Sequence, residues 1–166
     1  MLKKRNNRLQ MFWLGLALTS VTAMGLGGGF FLSVSTPERP SDDSVLLVSP
    51  QGCGQPRDAK ISGSAEGLVK GHRLSLPLDM KMDSSGTYRI RREWPQEGVW
   101  VLAVTATYGG LTRSVLVELG SDGFARRVKK KSTGESVPFA GRTSLHKLTS
   151  GEIDTALHAL SGQRSP

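Results

Sequence analysis

The chain has 166 residues, of which 22 are basic and 14 acidic, and a formal net charge of +8 at pH 7. This length allows one modest domain beside an N-terminal segment. Four of the basic residues lie within the first ten positions, which leaves 18 against 14 in the remainder. A surplus of about +4 is too mild for a dedicated nucleic-acid-binding domain, so we expect no nucleic-acid partner.

Residues 12–34 form a continuous stretch without a charged side chain. It is long enough for a transmembrane helix, which needs about 20 mostly apolar residues. Basic residues precede it and polar residues follow it. The positive-inside rule therefore predicts a cytoplasmic N-terminus over residues 1–11 and a C-terminal domain in the periplasm or outside the cell.

A cleavable signal peptide is the alternative interpretation of the same stretch. Val21, Thr22 and Ala23 supply the small residues that a cleavage site requires, and cleavage near Ala23 would release a secreted or periplasmic domain. Against this alternative, the apolar run resumes at Met24, and a mature protein would begin with an apolar segment exposed to water. A retained anchor is the preferred interpretation, and both place the domain outside the cytoplasm.

The segment at residues 35–44 is polar, contains two prolines and is expected to form a short linker. Cys53 is the single cysteine, so an intramolecular disulfide is impossible. Three interpretations of Cys53 remain: a buried or half-buried structural thiol, an intermolecular disulfide, or a redox-reactive thiol.

A β-sandwich is predicted for residues 45–131. The run at residues 72–82 alternates apolar and polar residues most clearly, and Pro77 requires it to be an edge or bulged strand. Residues 99–108 are apolar on both faces, which predicts a strand covered on both sides. The inner face of residues 59–68 consists of small residues and predicts close packing by a bulky neighbour. Seven strands are expected, at residues 45–48, 59–68, 72–82, 87–92, 99–108, 111–119 and 124–130.

These strands predict an all-β fold, an antiparallel sandwich of immunoglobulin or fibronectin-III type. A loop at residues 132–148 is expected to follow the sandwich. Thr149 and Glu152 then have the spacing of a capping box, with Leu148 and Ile153 placed for a hydrophobic staple. A short amphipathic helix is therefore predicted at residues 149–161, and it must dock on the sandwich, on a partner or on the bilayer.

Met80 and Met82, with His72 as a third ligand, form the candidate metal site. Thioether sulfurs favour Cu(I), so this arrangement raises the hypothesis of a copper-binding or metal-delivery module. The competing interpretation is core packing, because both methionines continue the apolar face of the predicted strand. No other cofactor is expected.

A basic cluster near the end of the predicted sandwich is the candidate interaction surface. It could contact anionic lipid or an acidic envelope polymer, although a solvated strand end has the same composition. It consists of Arg126, Arg127, Lys129, Lys130 and Lys131.

The segment with Gly86–Tyr88, Gly98, Trp100 and the alternating residues after them resembles small bacterial envelope immunoglobulin-like modules of the YtkA/FixH-like kind. The resemblance covers about residues 59–119 and implies the sandwich fold. Some modules of this broad kind handle copper through His and Met ligands, but no binding residue is transferred from them. A His-rich start after the membrane segment is lacking here, which weakens the metal interpretation.

The function predicted from the sequence is that of a non-enzymatic, membrane-anchored extracytoplasmic domain. It would act by protein–protein or envelope interaction, with the membrane contacted through residues 12–34. The motifs of common hydrolases, metalloproteases and nucleotide-binding proteins are absent from the sequence, so no enzyme is expected. The copper-binding module is the alternative function.

Overall fold

A computed structural model of the chain describes residues 29–37, 44–126, 128–129, 136–137 and 141–162. These residues form antiparallel sheets and one C-terminal helix, which confirms the predicted all-β sandwich. The strands are β1 (Phe31–Ser35), β2 (Ser44–Gln51), β3 (Lys60–Val69), β4 (His72–Pro77), β5 (Met80–Met82), β6 (Tyr88–Arg91), β7 (Val99–Tyr108), β8 (Leu111–Glu118), β9 (Val128–Lys129), β10 (Ser136–Val137) and β11 (Gly141–Ser144). A 3-10 turn covers Pro56–Asp58, and helix α1 covers Ser150–Gly162.

Two sheets enclose the main core. One has four strands in the order β1-β2-β6-β5, and the other has five in the order β11-β8-β7-β3-β4. Strands β9 and β10 form a separate two-stranded ribbon. Alternate residues of each strand point into the space between the two large sheets, where apolar side chains from both are fully buried. They include Leu46, Ile90, Leu102, Val104 and Val117.

Helix α1 adds a third layer on the outer face of the five-stranded sheet. Its buried residues Ile153, Leu157 and Leu160 pack against Val101 and Leu116 of β7 and β8. This packing explains why β7 is apolar on both faces, as the sequence indicated. The predicted capping box is also present, because Thr149 N donates to Glu152 Oε2 at 2.8 Å and Glu152 N donates to Thr149 Oγ1 at 3.3 Å.

Small residues on β3 allow the close packing that the sequence predicted. A Cβ atom at Gly67 would lie 2.5 Å from the ring of Trp100, so only glycine leaves room for the indole. Gly98 has a φ of +86°, and a Cβ there would lie 2.6 Å from the carbonyl oxygen of Leu68. The Gly-x-Trp segment is thus explained by packing at the start of β7.

The single strand predicted at residues 72–82 is wrong. The chain forms β4 at the edge of the five-stranded sheet and then crosses to β5 at the edge of the four-stranded sheet. Pro77 ends β4, because it has no N–H to continue the ladder, and an edge position fits that requirement. Leu78 N still donates to Gly63 O at 3.0 Å before the chain leaves the sheet.

The end of the predicted membrane segment requires a second correction. Phe31–Ser35 is strand β1 and pairs with β2, so these residues belong to the sandwich and not to a helix ending at residue 34. Phe30 and Val34 are buried, and Leu32 packs on the same core. The apolar side chains of this segment pack in the protein core. Composition alone does not distinguish burial in a core from burial in lipid. The linker was predicted at residues 35–44, behind the membrane, but Ser35 ends β1 and Ser44 begins β2, so the segment lies between two strands of the sandwich.

The C-terminal third differs from the sequence prediction in its strands. Among the described residues of the strand predicted at 124–130, Ala125 forms an isolated bridge with Leu119, and residues 128–129 form β9. Strands β10 and β11 lie within the predicted loop, and β11 extends the five-stranded sheet beyond β8.

Residues 1–28 lie outside the described part of the chain, and with them the predicted cytoplasmic segment and most of the predicted span. Within the described residues, no helix combines the length and the apolar composition needed to cross a membrane.

Candidate functional site

A charged cleft lies on the outer side of the β5–β6 hairpin. Lys81 of β5 and Arg89 of β6 are register partners, and both point away from the core because Met80 and Ile90 point inward. The cleft has a volume of about 340 Å³. It is lined by Asp79, Lys81, Met82, Asp83, Arg89, Arg91 and Glu93.

Ion pairs organise this cleft. Lys81 Nζ lies 3.0 Å from Asp79 Oδ2, and Arg89 Nε lies 3.3 Å from Asp83 Oδ2. Hydrogen bonds from Ser85 and Thr87 lower the pKa of Asp83 to about 2, so this carboxylate stays ionised at neutral pH. Asp83 therefore fixes the hairpin turn and, at the same time, orients Arg89 along the cleft.

The cleft combines balanced charge with one exposed apolar side chain. Its three basic and three acidic side chains balance in formal charge, which favours a partner surface of mixed charge. Met82 is 48% exposed beside them. Exposed methionine and arginine are enriched at protein–protein interfaces, where methionine adapts its shape to the partner.

A second cleft, of about 380 Å³, lies at the end of the sandwich where β1 begins. We call this end the proximal end. It is formed by the loop at residues 52–58, the turn at residues 83–86, the turn at residues 109–110 and the start of β1. Gln55 N donates to Tyr108 Oη at 2.8 Å, and Arg57 Nη2 donates to Ser85 O at 3.3 Å. Cys53 is exposed in the same loop.

A third group of charges lies under helix α1. Glu66 is only 6% exposed, and its Oε1 accepts from Ser64 Oγ at 2.5 Å and Ser75 Oγ at 2.8 Å. Its Oε2 accepts from Arg73 Nη2 at 2.9 Å, and Arg73 also pairs with Asp154 of the helix. Burial raises the pKa of Glu66, but the hydrogen bonds from its three partners outweigh that effect and the pKa is lowered. This group ties the helix to the sheet.

The fold places His72 away from Met80 and Met82, the other two candidate copper ligands. Met80 is half-buried and packs on the core near Gly63, whereas Met82 is exposed at the end of β5. His72 belongs to the other sheet. It lies at the opposite end of β4 from Pro77, five residues away along a strand that rises about 3.3 Å per residue. Of the described His, Cys, Asp and Glu side chains, no three form a group that could hold a metal ion. The copper hypothesis stays a hypothesis, restricted to Met80 and Met82.

Only part of the predicted basic cluster falls within the described residues. Arg126 follows β8 at the end of the sandwich opposite to Phe30, which we call the distal end, and its Nη1 lies 3.8 Å from Glu118 Oε2. Lys129 is in strand β9. Arg127, Lys130 and Lys131 lie outside the described residues.

The sequence contained the signal for the charged cleft, but it was not recognised. Arg89 and Arg91 were assigned to the outward face of their strand, and Asp79 and Lys81 to the polar face of theirs. The alternation predicts a single strand over residues 72–82, and a single strand does not predict the pairing of Lys81 with Arg89. Proline at residue 77 was the available clue that the chain leaves the first sheet there.

Comparisons of the chain with protein-family models, with curated proteins and with solved structures find no match. The resemblance to YtkA/FixH-like modules therefore stays a hypothesis based on the residues named above.

Proposed function

We propose that this protein is a non-enzymatic immunoglobulin-like domain, held outside the cytoplasm at a membrane surface, that binds a partner protein through the charged cleft on β5 and β6. The observation that carries this proposal is the cleft itself, with its ordered ion pairs and exposed Met82 on the sandwich face that helix α1 does not cover.

The strand order supports the immunoglobulin-like assignment. In that fold, strands A, B, E and D form one sheet, and strands G, F and C form the other, with C′ added in some members. Here β1-β2-β6-β5 corresponds to A-B-E-D and β8-β7-β3-β4 to G-F-C-C′. Strand β11 extends the second sheet beyond G. Domains with this architecture present loops and sheet faces to partners, which agrees with a binding role.

The N-terminal sequence supports attachment to a membrane. Residues 12–29 precede the sandwich, carry no charge and follow a basic segment. As a helix, residues 12–28 would be about 26 Å long, close to the roughly 30 Å of a bilayer's hydrocarbon core. The positive-inside rule again orients the sandwich away from the cytoplasm.

Photo-crosslinking of the full chain in its native membranes tests the binding proposal. A photoreactive residue placed at Met82 or Arg91 is expected to yield one discrete adduct, whereas the same residue at the exposed distal Gln96 is not. Lys81→Glu should reduce the adduct several-fold, because it reverses a charge at the cleft.

The matched control for that variant is Lys70→Glu. Lys70 is an equally exposed lysine, with its Nζ 3.2 Å from Glu97 Oε2 at the distal end. Equal crosslinking from Gln96, or an adduct that Lys81→Glu leaves unchanged, would refute the cleft as the binding surface.

A secreted form of the same domain is the second candidate. It is favoured by the burial of Phe30, which is 4% exposed, and of Val34, which is 8% exposed. After cleavage near Ala23 the sandwich would still cover Leu32 and Val34, and Phe31 would be the exposed large apolar residue of β1. Only residues 24–29, four of which are glycine, would precede the domain.

A further inference from the structure

The chain enters the sandwich without a spacer after the apolar segment. Phe30 is buried against Tyr108, with ring centroids 5.5 Å apart, and its carbonyl oxygen accepts from Arg113 Nε at 2.8 Å. Gly52 packs on the same backbone, because a Cβ there would lie 3.0 Å from Gly29 O. The backbone is therefore fixed to the domain from residue 29 onward.

The length of the remaining apolar segment then limits how far the domain can stand from the bilayer. A helix over residues 12–28 would be about 26 Å long, slightly shorter than the hydrocarbon core of about 30 Å, so residue 29 must lie close to the membrane–water interface. Since Phe30 is already part of the sandwich, the proximal end must lie at that interface as well. The connection that could have served as a spacer, residues 36–43, comes after β1.

The surface of the proximal end fits such a position. Phe31 and Leu111 are large apolar residues that are 53% and 45% exposed there. Arg57 and Lys60 are exposed at the same end, and Asp58 is the exposed acid beside them. Apolar side chains flanked by basic ones suit the interface of a bilayer. The apolar side chains enter the headgroup region, and the basic side chains pair with lipid phosphate groups.

We propose that the proximal end of the sandwich lies on the phospholipid bilayer, with Phe31 and Leu111 in contact with it, so that the distal end points away. This inference rests on the proposed membrane attachment. The proposed orientation also differs from the expectation that the basic cluster contacts anionic lipid. Arg126 lies at the distal end, so it would face the aqueous phase and not the lipid headgroups.

The single cysteine allows a direct test in the full chain. A bimane fluorophore on Cys53 reports on the proximal end, and the same label in Cys53→Ser/Ser121→Cys reports on the distal turn. The protein is reconstituted into vesicles of phosphatidylcholine and phosphatidylglycerol that contain a lipid with a nitroxide on its headgroup. We expect several-fold stronger quenching at residue 53 than at residue 121.

A second pair of variants tests the two apolar contacts. Phe31→Ser/Leu111→Ser should lower the quenching at residue 53, while Phe124→Ser, which alters an exposed aromatic residue at the distal end, should leave it unchanged. Equal quenching at residues 53 and 121 in chains that stay with the vesicles would overturn this inference alone. A chain that does not stay with the vesicles would overturn both the membrane attachment and this inference.

Discussion

Glu66 illustrates how a residue on the polar face of a strand becomes part of the interior. Alternation along β3 places it away from the sandwich core, and the sequence analysis assigned it to the polar face. In the structure, helix α1 covers that face, and the carboxylate accepts hydrogen bonds from Ser64, Ser75 and Arg73. A buried charge is tolerated here because every partner is supplied by β3 itself or by the adjacent edge strand.

Removing the charge of Glu66 should destabilise the fold in a pH-dependent way. Its pKa is lower in the folded chain than the ordinary value of 4.5. Its contribution to stability is therefore fully present above about pH 4.5 and is lost as the pH falls through the folded value. We expect Glu66→Gln to cost about 1–3 kcal/mol at pH 7, and less at pH 4.

Urea unfolding followed by circular dichroism at both pH values measures this effect. The control is Glu97→Gln, because Glu97 is exposed and its Oε2 lies 3.2 Å from Nζ of the exposed Lys70. A surface pair of that kind should change the stability by less than about 1 kcal/mol at either pH. An equal loss for both variants, or a loss at Glu66 that does not shrink at low pH, would contradict the role assigned to the buried carboxylate.

At the scale of elements, local signals predicted β7 and helix α1 well. The two apolar faces of residues 99–108 and the capping box at Thr149 each depend on neighbours in sequence, and the structure contains both. The failures depended on distant partners. Residues 31–35 became a strand because β2 pairs with them, and residues 72–82 divided because two different sheets receive their halves.

The same distinction applies to the candidate site. The outward charges of β5 and β6 followed from alternation, so the residue types at the cleft were predictable. Their assembly into one cleft was not, since it requires the crossing at Pro77 that brings Lys81 opposite Arg89. Hydrophobic pattern alone also cannot separate a membrane segment from a buried strand, which is why residues 30–34 were assigned to the membrane.

The capping box of helix α1 makes a prediction at this scale. Thr149→Ala removes the acceptor for Glu152 N and should lower the free energy of local unfolding of Ser150–Gly162 by about 1 kcal/mol. Hydrogen–deuterium exchange of the helix amides in the full chain measures it.

Thr155→Ala is the matched control for the capping prediction. Thr155 Oγ1 donates to Gly151 O at 2.7 Å within the helix, and alanine has the higher helix propensity, so no loss is expected. If Thr149→Ala exchanges no faster than Thr155→Ala, the capping box does not stabilise the docked helix.

For the whole molecule, the decisive feature is the junction at Phe30. The structure assigns to the sandwich Phe30, Phe31 and Leu32, three of the apolar residues that argued against cleavage near Ala23. It also shortens the segment available for a membrane helix to residues 12–28. Both interpretations of the N-terminus are therefore compatible with a folded domain. They differ in whether the proximal end is held on a bilayer or is free in solution.

The intact mass of the chain, recovered from cells after alkaline extraction of the membrane fraction, tests the proposed attachment most directly. We predict an uncleaved chain that stays in the membrane pellet, since residues 12–28 would remain as the anchor. A soluble chain that begins near Met24 would contradict the membrane-held domain and would identify the secreted form instead.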